Sequence, residues 1–118
     1  MEFCWSTLRV KDMEQSLKFY QEIVGLNLVS KFNAENGIEI AFLGKRRTKI
    51  ELICNGNSNI NIGKDISWGF KTKSLQQKLD YVVSKGITAD GPYSPNANTS
   101  FFFITDPNGM KIQFVETK

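Results

Sequence analysis

The hexamer "KIQFVE", residues 111–116, repeats the pattern of the hexamer "KIELIC", residues 49–54, at an interval of 62 positions (111 − 49). Both hexamers alternate polar and apolar side chains, a pattern that is typical of a half-buried β-strand. Their third positions differ, because the first copy has the acid Glu51 and the second has the amide Gln113. The repeat predicts that one strand is duplicated and that a carboxylate in one copy is replaced by an amide in the other.

The segments upstream of the hexamers are duplicated as well. Trp5 in "CWSTLRV" has a counterpart in Trp68 of "SWGFKTK", 63 positions later (68 − 5), and each precedes a helix start signal. The two signals are "DMEQ", residues 12–15, and "SLQQ", residues 74–77, which have the spacing of a capping box. Apolar residues at helical spacing follow both signals. Each half of the chain therefore predicts a strand followed by a helix.

Three further strands complete each predicted half. In the first half, "LNLVSKF" and "IEIAFL" flank the turn "NAENG", and "TKIELIC" follows. In the second half, "SFFFIT" and "MKIQFVE" flank "DPNG", whereas residues 87–99 predict a long irregular segment with one short strand. The sequence thus predicts an α+β fold in one domain, residues 1–118, with module 1 at 1–56, a polar linker at 57–65 and module 2 at 66–118.

Strand alternation assigns the side chains to two faces. Cys4, Leu8 and Val10 share the face that we expect to pack on the helix, and Cys4 and Cys54 are expected to be small core residues. Four polar or aromatic side chains are expected on the opposite side of a curved sheet: Trp5, Glu51, Trp68 and Gln113. The sequence therefore predicts one surface on which two indoles accompany a carboxylate and an amide.

Composition narrows the classes of partner. The net charge is +3, and the basic cluster Lys45-Arg46-Arg47 is short and lies at a predicted, solvated turn, so nucleic acid is not an expected partner. No apolar run approaches the roughly 20 residues of a membrane helix, and no signal-peptide pattern precedes the first strand. Two cysteines do not form a disulfide framework. We therefore expect no membrane partner and a reduced, cytoplasmic location.

The ordered motifs "TLRVKDMEQSLKFYQEIVGL", "KIEL" and "TDPNGMKIQFVE" resemble the vicinal oxygen chelate superfamily, the glyoxalase/bleomycin-resistance/dioxygenase group. The resemblance is closest to single-domain members that are similar to glyoxalase I, the lactoylglutathione lyase. It implies two βαβββ modules whose mixed sheet curls around a cavity, and it implies a homodimer. It also implies a divalent metal that is held by one residue from each of four strands, typically His and Glu.

Transferred to this chain, the four ligand positions implied by the resemblance fall on Trp5, Glu51, Trp68 and Gln113. An indole nitrogen is a donor only, an amide oxygen is a weak ligand for a transition metal, and the chain has no histidine. We therefore predict a degenerate metal site with no metal cofactor. In the glyoxalase I reaction the resemblance assigns the proton-accepting base to the position of Gln113, and an amide cannot accept that proton.

The leading hypothesis is a protein that binds a small aromatic or cationic organic molecule in an aromatic cavity without metal. Arg9 and Asn55 fall where the glyoxalase I branch contacts the glutathione part of its substrate. The alternatives are a solvated strand arginine for Arg9, a turn residue for Asn55, and a core residue for Phe102. The predicted ligand-binding residues are Trp5, Arg9, Glu51, Asn55, Trp68, Phe102 and Gln113.

Two other functions remain open at this stage. One is a lyase or isomerase similar to lactoylglutathione lyase, with a divalent metal at a non-standard site and Glu51 as the catalytic residue. The other is a structural or regulatory interaction module, in which both indoles fill a vestigial cavity and neither ligand nor metal binds. The sequence leaves open whether modules pair within one chain or between two chains.

Overall fold

The computed structural model describes residues 1–45 and 48–118. Arg46 and Arg47 of the basic cluster lie outside the described residues, so the solvated turn predicted there stays a prediction. The described chain divides into two compact units, Met1–Asn61 and Ile62–Lys118, and this division falls inside the predicted linker. Each unit has a strand, a helix and three further strands, which confirms the α+β class and the two βαβββ modules.

The first unit forms a four-stranded mixed sheet in the order β1-β4-β3-β2. β1 runs parallel to β4, whereas the β2–β3 and β3–β4 pairs are antiparallel. The elements are β1 Ser6–Arg9, α1 Met13–Lys18, a wider π-helical segment Phe19–Val24, β2 Leu28–Asn33, a 3-10 turn Glu35–Gly37, β3 Glu39–Lys45 and β4 Thr48–Cys54.

The second unit repeats this arrangement in a sheet of order β5-β8-β7-β6, with β5 parallel to β8. Its elements are β5 Ser67–Lys71, α2 Leu75–Ser84, β6 Asp90–Asn96, β7 Thr99–Thr105 and β8 Lys111–Thr117. The segment 87–99, which was predicted to be irregular with one short strand, contains the edge strand β6 over seven residues. Its pairing with β7 shifts register twice, which explains why alternation was not visible in the sequence.

Both helices begin at the predicted caps. The Asp12 carboxylate accepts a hydrogen bond from the Gln15 N–H at 2.9 Å, and the Ser74 hydroxyl accepts one from the Gln77 N–H at 3.2 Å. The first helix then widens, because the Gly25 N–H donates to the carbonyl of Tyr20 five residues earlier. Gly25 ends this segment with a left-handed φ of 90°. The widening itself has no signal in the residue pattern.

The core of each unit lies on one face of its sheet, beneath the helix. In the first unit this face carries Leu8, Ile50 and Leu52, and in the second it carries Ile112 and Phe114, all of them buried. α1 contacts β4, and α2 contacts β7 and β8. Apolar burial of this kind is the main favourable contribution to folding. The alternate residues of the same strands therefore form a second face that is free to differ between the units.

The two cysteines differ in burial. Cys54 is buried at the end of β4, as predicted, and its thiol lies 3.5 Å from the carbonyl oxygen of Lys11. Cys4 is exposed, so its assignment to the core was wrong. The reason is that β1 begins only at Ser6, which leaves Cys4 before the first paired residue of the sheet. Among the described residues no helix is long and apolar enough to cross a membrane.

The "DPNG" turn fixes the register between β7 and β8. Asp106 is 5% exposed, and its carboxylate accepts hydrogen bonds from the backbone N–H groups of Asn108 at 2.8 Å and Met110 at 2.7 Å. This pairing places Phe103 opposite Gln113 and Phe102 opposite Phe114. A local turn thus decides which aromatic side chains of β7 enter the core.

We expect Phe102→Ala to lower the free energy of unfolding by about 3–5 kcal/mol, because Phe102 is fully buried against Phe114 and its removal leaves a cavity. The matched control is Phe101→Ala, one residue earlier on the opposite face, which should cost only about 1–2 kcal/mol. Urea unfolding of both variants measures the difference. Equal losses would contradict the assignment of the two faces.

Candidate functional site

The parallel pairing of β1 with β4 places Thr7 directly beside Glu51. The Thr7 hydroxyl donates a hydrogen bond of 2.7 Å to Glu51 Oε1. On the other side of Glu51, its cross-strand partner is Phe42 of β3. Trp5 lies just before β1 and meets the Phe42 ring edge-on, with centroids 5.1 Å apart and planes at 77°. Glu51 therefore stands between a residue whose hydroxyl binds its carboxylate and a residue that belongs to an aromatic pair.

This side of the first sheet, here called the Glu51 face, is the side opposite the buried apolar row. Glu51 and Phe42 are half-buried, Thr7 and Arg9 are exposed, and Trp5 is 44% exposed. The structure thus brings Trp5 and Glu51 to one surface through Phe42, a residue that the sequence analysis missed. By register the Glu51 face includes Thr7, Arg9, Ser30, Phe32, Ile40, Phe42, Lys49, Glu51 and Ile53.

The corresponding row of the second unit has different chemistry. Gly69 of β5 stands beside Gln113 of β8, and Phe103 of β7 is the next residue across the sheet. A Cβ atom at position 69 would lie 3.1 Å from Gln113 Oε1, so the amide occupies the space that a larger residue would need. This side, here called the Gln113 face, includes by register Ser67, Gly69, Lys71, Asp90, Tyr93, Asn96, Thr99, Phe101, Phe103, Thr105, Lys111, Gln113, Val115 and Thr117.

The structure corrects the position assigned to Trp68. Thr7 and Gly69 occupy equivalent register positions 62 residues apart, as do Glu51 and Gln113, so the counterpart of Trp5 is Ser67. Trp68 pairs with Ile112, which is fully buried, and therefore lies on the helix-side face, away from Gln113. An interval of 63 instead of 62 moves a strand residue to the opposite face of the sheet. The predicted pair of indoles on one surface is wrong for this reason.

Two further predicted site residues have local structural roles. Phe102 is 0% exposed, and its ring centroid lies 5.3 Å from that of Phe114, so it is the core residue of the alternative interpretation rather than a ligand contact. Asn55 follows β4 and is exposed, and its side-chain oxygen accepts a 2.9 Å hydrogen bond from the Asn57 N–H. That is the geometry of an Asx-turn.

A series of aromatic rings crosses the Gln113 face. The centroids of Tyr93 and Phe101 are 5.8 Å apart, those of Phe101 and Phe103 are 5.4 Å apart, and Lys111 Nζ lies 4.3 Å from the Phe103 centroid. The sequence analysis missed this series, although alternation within "SFFFIT" separates Phe101 and Phe103 from Phe102. A cleft of about 670 Å³ in this unit is lined by Phe103 and Lys111, among others.

Two side chains have clearly perturbed acidities. The Tyr93 hydroxyl donates a short hydrogen bond to Asp90 Oδ1; this bond, with desolvation and the negative charge of Asp90, raises the pKa of Tyr93 above its ordinary value of 10.0. Burial lowers the pKa of Lys78, whose ammonium group lies over the rings of Tyr81 and Phe114 on the helix side. The first shift concerns the Gln113 face and the second concerns the core.

The donor set of neither face fits a catalytic transition metal. Within the described part of the chain, three or more His, Cys, Asp or Glu side chains nowhere cluster as a metal site would require. The Glu51 face offers one carboxylate beside a hydroxyl, and Gln113 offers a neutral amide, whereas catalytic zinc sites use three strong protein ligands. The expectation that the protein binds no metal cofactor stays a prediction.

Comparisons with known proteins agree on the family. The model of the Glyoxalase/Bleomycin resistance protein/Dioxygenase superfamily matches residues 4–114. The lactoylglutathione lyase of Haemophilus influenzae is 29% identical over 135 residues, which covers 100% of this chain and 94% of that protein.

Solved structures with low identity show the same fold. Glyoxalase I from Zea mays superposes with a TM-score of 0.85 at 21% identity, covering 98% of this chain and 47% of that one. TnmS3, an antibiotic binding protein from Streptomyces sp. CB03234, superposes with a TM-score of 0.78 at 17% identity, covering 100% and 98%. At these identities the likeness extends to the fold alone.

We expect Trp68→Ala to lower the free energy of unfolding by about 2–3 kcal/mol, because Trp68 lies on the helix-side face with Ile112. The matched substitution Trp5→Ala should cost about 1 kcal/mol or less, because Trp5 lies outside the strand and is 44% exposed. Chemical denaturation followed by circular dichroism compares the two variants. The reverse order would show that Trp5, and not Trp68, belongs to the core.

We expect Tyr93 to ionise at a higher pH than an ordinary tyrosine, because Asp90 favours the protonated phenol. The stabilisation that this hydrogen bond gives is complete below pH 10 and is lost as the pH rises through the raised pKa. Absorbance titration near 295 nm should show one tyrosine transition that moves to lower pH in Asp90→Asn. An unchanged titration curve in that variant would contradict the assignment.

Proposed function

We propose that this protein, which belongs to the Glyoxalase/Bleomycin resistance protein/Dioxygenase superfamily, binds a small organic molecule without a metal ion. The ligand presents a cationic or hydrogen-bond-donating group to Glu51 and aromatic or apolar surface to Trp5 and Phe42. Arg9, on the same face, offers a charge for an acidic group of the ligand. As further parts of the proposal, the protein is a cytoplasmic homodimer that contacts neither nucleic acid nor membrane.

The observation that carries this proposal is the row Thr7–Glu51–Phe42 with Trp5 against Phe42. An ionised carboxylate accepts hydrogen bonds and cannot donate them, so it selects donors and cations. A cation within about 6 Å of an aromatic ring gains roughly 0.5–2 kcal/mol, depending on its desolvation. Carboxylate and rings thus favour the same class of ligand.

The Gln113 face supports a binding role over a catalytic one. Its central polar group is an amide, which both donates and accepts hydrogen bonds but does not take up a proton at neutral pH. Aromatic rings with a few placed polar groups are the usual anatomy of small-molecule sites. TnmS3 is named as an antibiotic binding protein, so ligand binding is a role that a protein of this fold performs.

We expect benzyltrimethylammonium, an aromatic cation, to bind and raise the melting temperature, whereas neutral benzyl alcohol should bind more weakly. Glu51→Gln should lower the affinity for the cation by about tenfold, because it removes the negative charge while keeping the side-chain shape. Trp5→Ala should weaken both probes. Calorimetric titration and thermal shift measure these changes.

The control for this experiment is Trp68→Phe, which changes the indole on the helix-side face of the second unit and should leave both affinities within about twofold. If Glu51→Gln binds the cation as tightly as the wild type does, the proposed function is wrong. If Trp68→Phe weakens the cation as much as Trp5→Ala does, the Glu51 face is not the binding surface.

The second candidate function is a lactoylglutathione lyase-like enzyme with a non-standard metal site, in which Glu51 is catalytic. It is favoured by the Haemophilus influenzae relative, which matches this chain over its whole length. Metal analysis of the purified protein and a hemithioacetal isomerase assay with added Ni²⁺ or Zn²⁺ separate the two functions. We expect neither stoichiometric metal nor turnover, and turnover that is lost in Glu51→Gln would establish the enzyme instead.

A further inference from the structure

We infer that Thr7 is a positioning residue for Glu51, whose hydroxyl fixes the carboxylate and so gives the Glu51 face its preference for cations. This inference rests on the proposed function. It concerns a residue that does not need to touch the ligand, because its effect is transmitted through Glu51.

The geometry of the Thr7–Glu51 pair allows this role. The two residues are register partners on adjacent parallel strands, about 4.8 Å apart, and the hydroxyl donates at 2.7 Å to one carboxylate oxygen. A carboxylate has about four acceptor sites, so one hydrogen bond from Thr7 leaves Oε2 and part of Oε1 for a ligand. The terminal torsion of a glutamate is broad, so an unheld carboxylate would sample many orientations.

An aromatic pair lies on the other side of Glu51 in the sheet. Phe42 is the cross-strand partner of Glu51, and Trp5 packs edge-on against Phe42. The hydroxyl on one strand and the ring on the other therefore bracket Glu51. A ligand cation that approaches this row meets a carboxylate that is already oriented, which lowers the entropy lost on binding.

In the second unit, the positions equivalent to Thr7 and Glu51 carry neither a hydroxyl nor a charge. At the position equivalent to Thr7 stands Gly69, and at the position equivalent to Glu51 stands the neutral Gln113. Gln113 Oε1 lies 3.1 Å from where a Cβ atom of residue 69 would be, so the amide uses the space of the missing side chain. The hydroxyl accompanies the charge in the first unit, and both are absent from the equivalent positions of the second unit.

Strand propensity alone also favours a threonine in β1, because β-branched residues suit strands. Valine has the same shape and a similar propensity but no hydroxyl, so Thr7→Val isolates the hydrogen bond. Thr7→Ser keeps the hydroxyl and removes a methyl group. These two variants separate positioning from packing.

The experiment titrates benzyltrimethylammonium and benzyl alcohol into the wild type, Thr7→Val, Thr7→Ser, Glu51→Gln and the double variant Thr7→Val/Glu51→Gln. We expect Thr7→Val to lower the affinity for the cation by about fivefold and to leave the affinity for the alcohol unchanged. The affinity of Thr7→Ser for the cation should be within about twofold of that of the wild type. The double variant should bind the cation as tightly as Glu51→Gln does, because Thr7 acts through Glu51. Melting temperatures without ligand verify that each variant is folded.

The outcomes separate the inference about Thr7 from the proposed function. If Glu51→Gln weakens the cation but Thr7→Val does not, or if the two losses add in the double variant, the inference about Thr7 is wrong and the proposed function stands. If the wild type does not prefer the cation, or if Glu51→Gln binds it normally, the proposed function is wrong and the inference falls with it. Weak binding by Thr7→Ser would assign the effect to the methyl group.

Discussion

The register of the parallel strand pair in each unit is the constraint on which the rest of the structure depends. In the first unit it sets Leu8 beside Leu52 on the buried face and Thr7 beside Glu51 on the other face. Because alternate side chains point to opposite faces, one residue of slippage would expose the apolar row and bury the carboxylate. Burial of the apolar row therefore fixes the register, and the register in turn assembles the polar row.

Much of the fold was predictable because its signals are local. A helix cap is a hydrogen bond over three residues, as for Asp12 and Gln15, and a residue pattern of that length identifies it. The turn at Asp106 has the same character, since its carboxylate binds backbone groups only two and four residues later. Alternation placed Glu51 correctly on the non-buried face of β4. The two βαβββ modules follow from these signals together.

The errors arose where residue identity was given more weight than register. Matching Trp68 to Trp5 used an interval of 63, although the caps and hexamers repeat at 62, and this single position reversed the face of the side chain. Phe102 stands between two other phenylalanines, so alternation of polar and apolar residues does not indicate on which face of the sheet it lies. Its register with Phe114 decides its burial. The pairing of Thr7 with Glu51 joins residues 44 positions apart, which no local pattern reveals.

The exchange of Glu51 for Gln113 between the two units changes more than one charge. A carboxylate can only accept hydrogen bonds, so a hydroxyl donor such as Thr7 satisfies one of its acceptor sites and holds one of its oxygens in place. An amide supplies its own donors and acceptor, so a glycine at position 69 costs it nothing and gives its oxygen room. The two units thus present a carboxylate, which can only accept hydrogen bonds, on one face, and an amide, which can both donate and accept them, on the other. The two units share their strand order, and at the parallel strand pair they differ by this coupled change of neighbours.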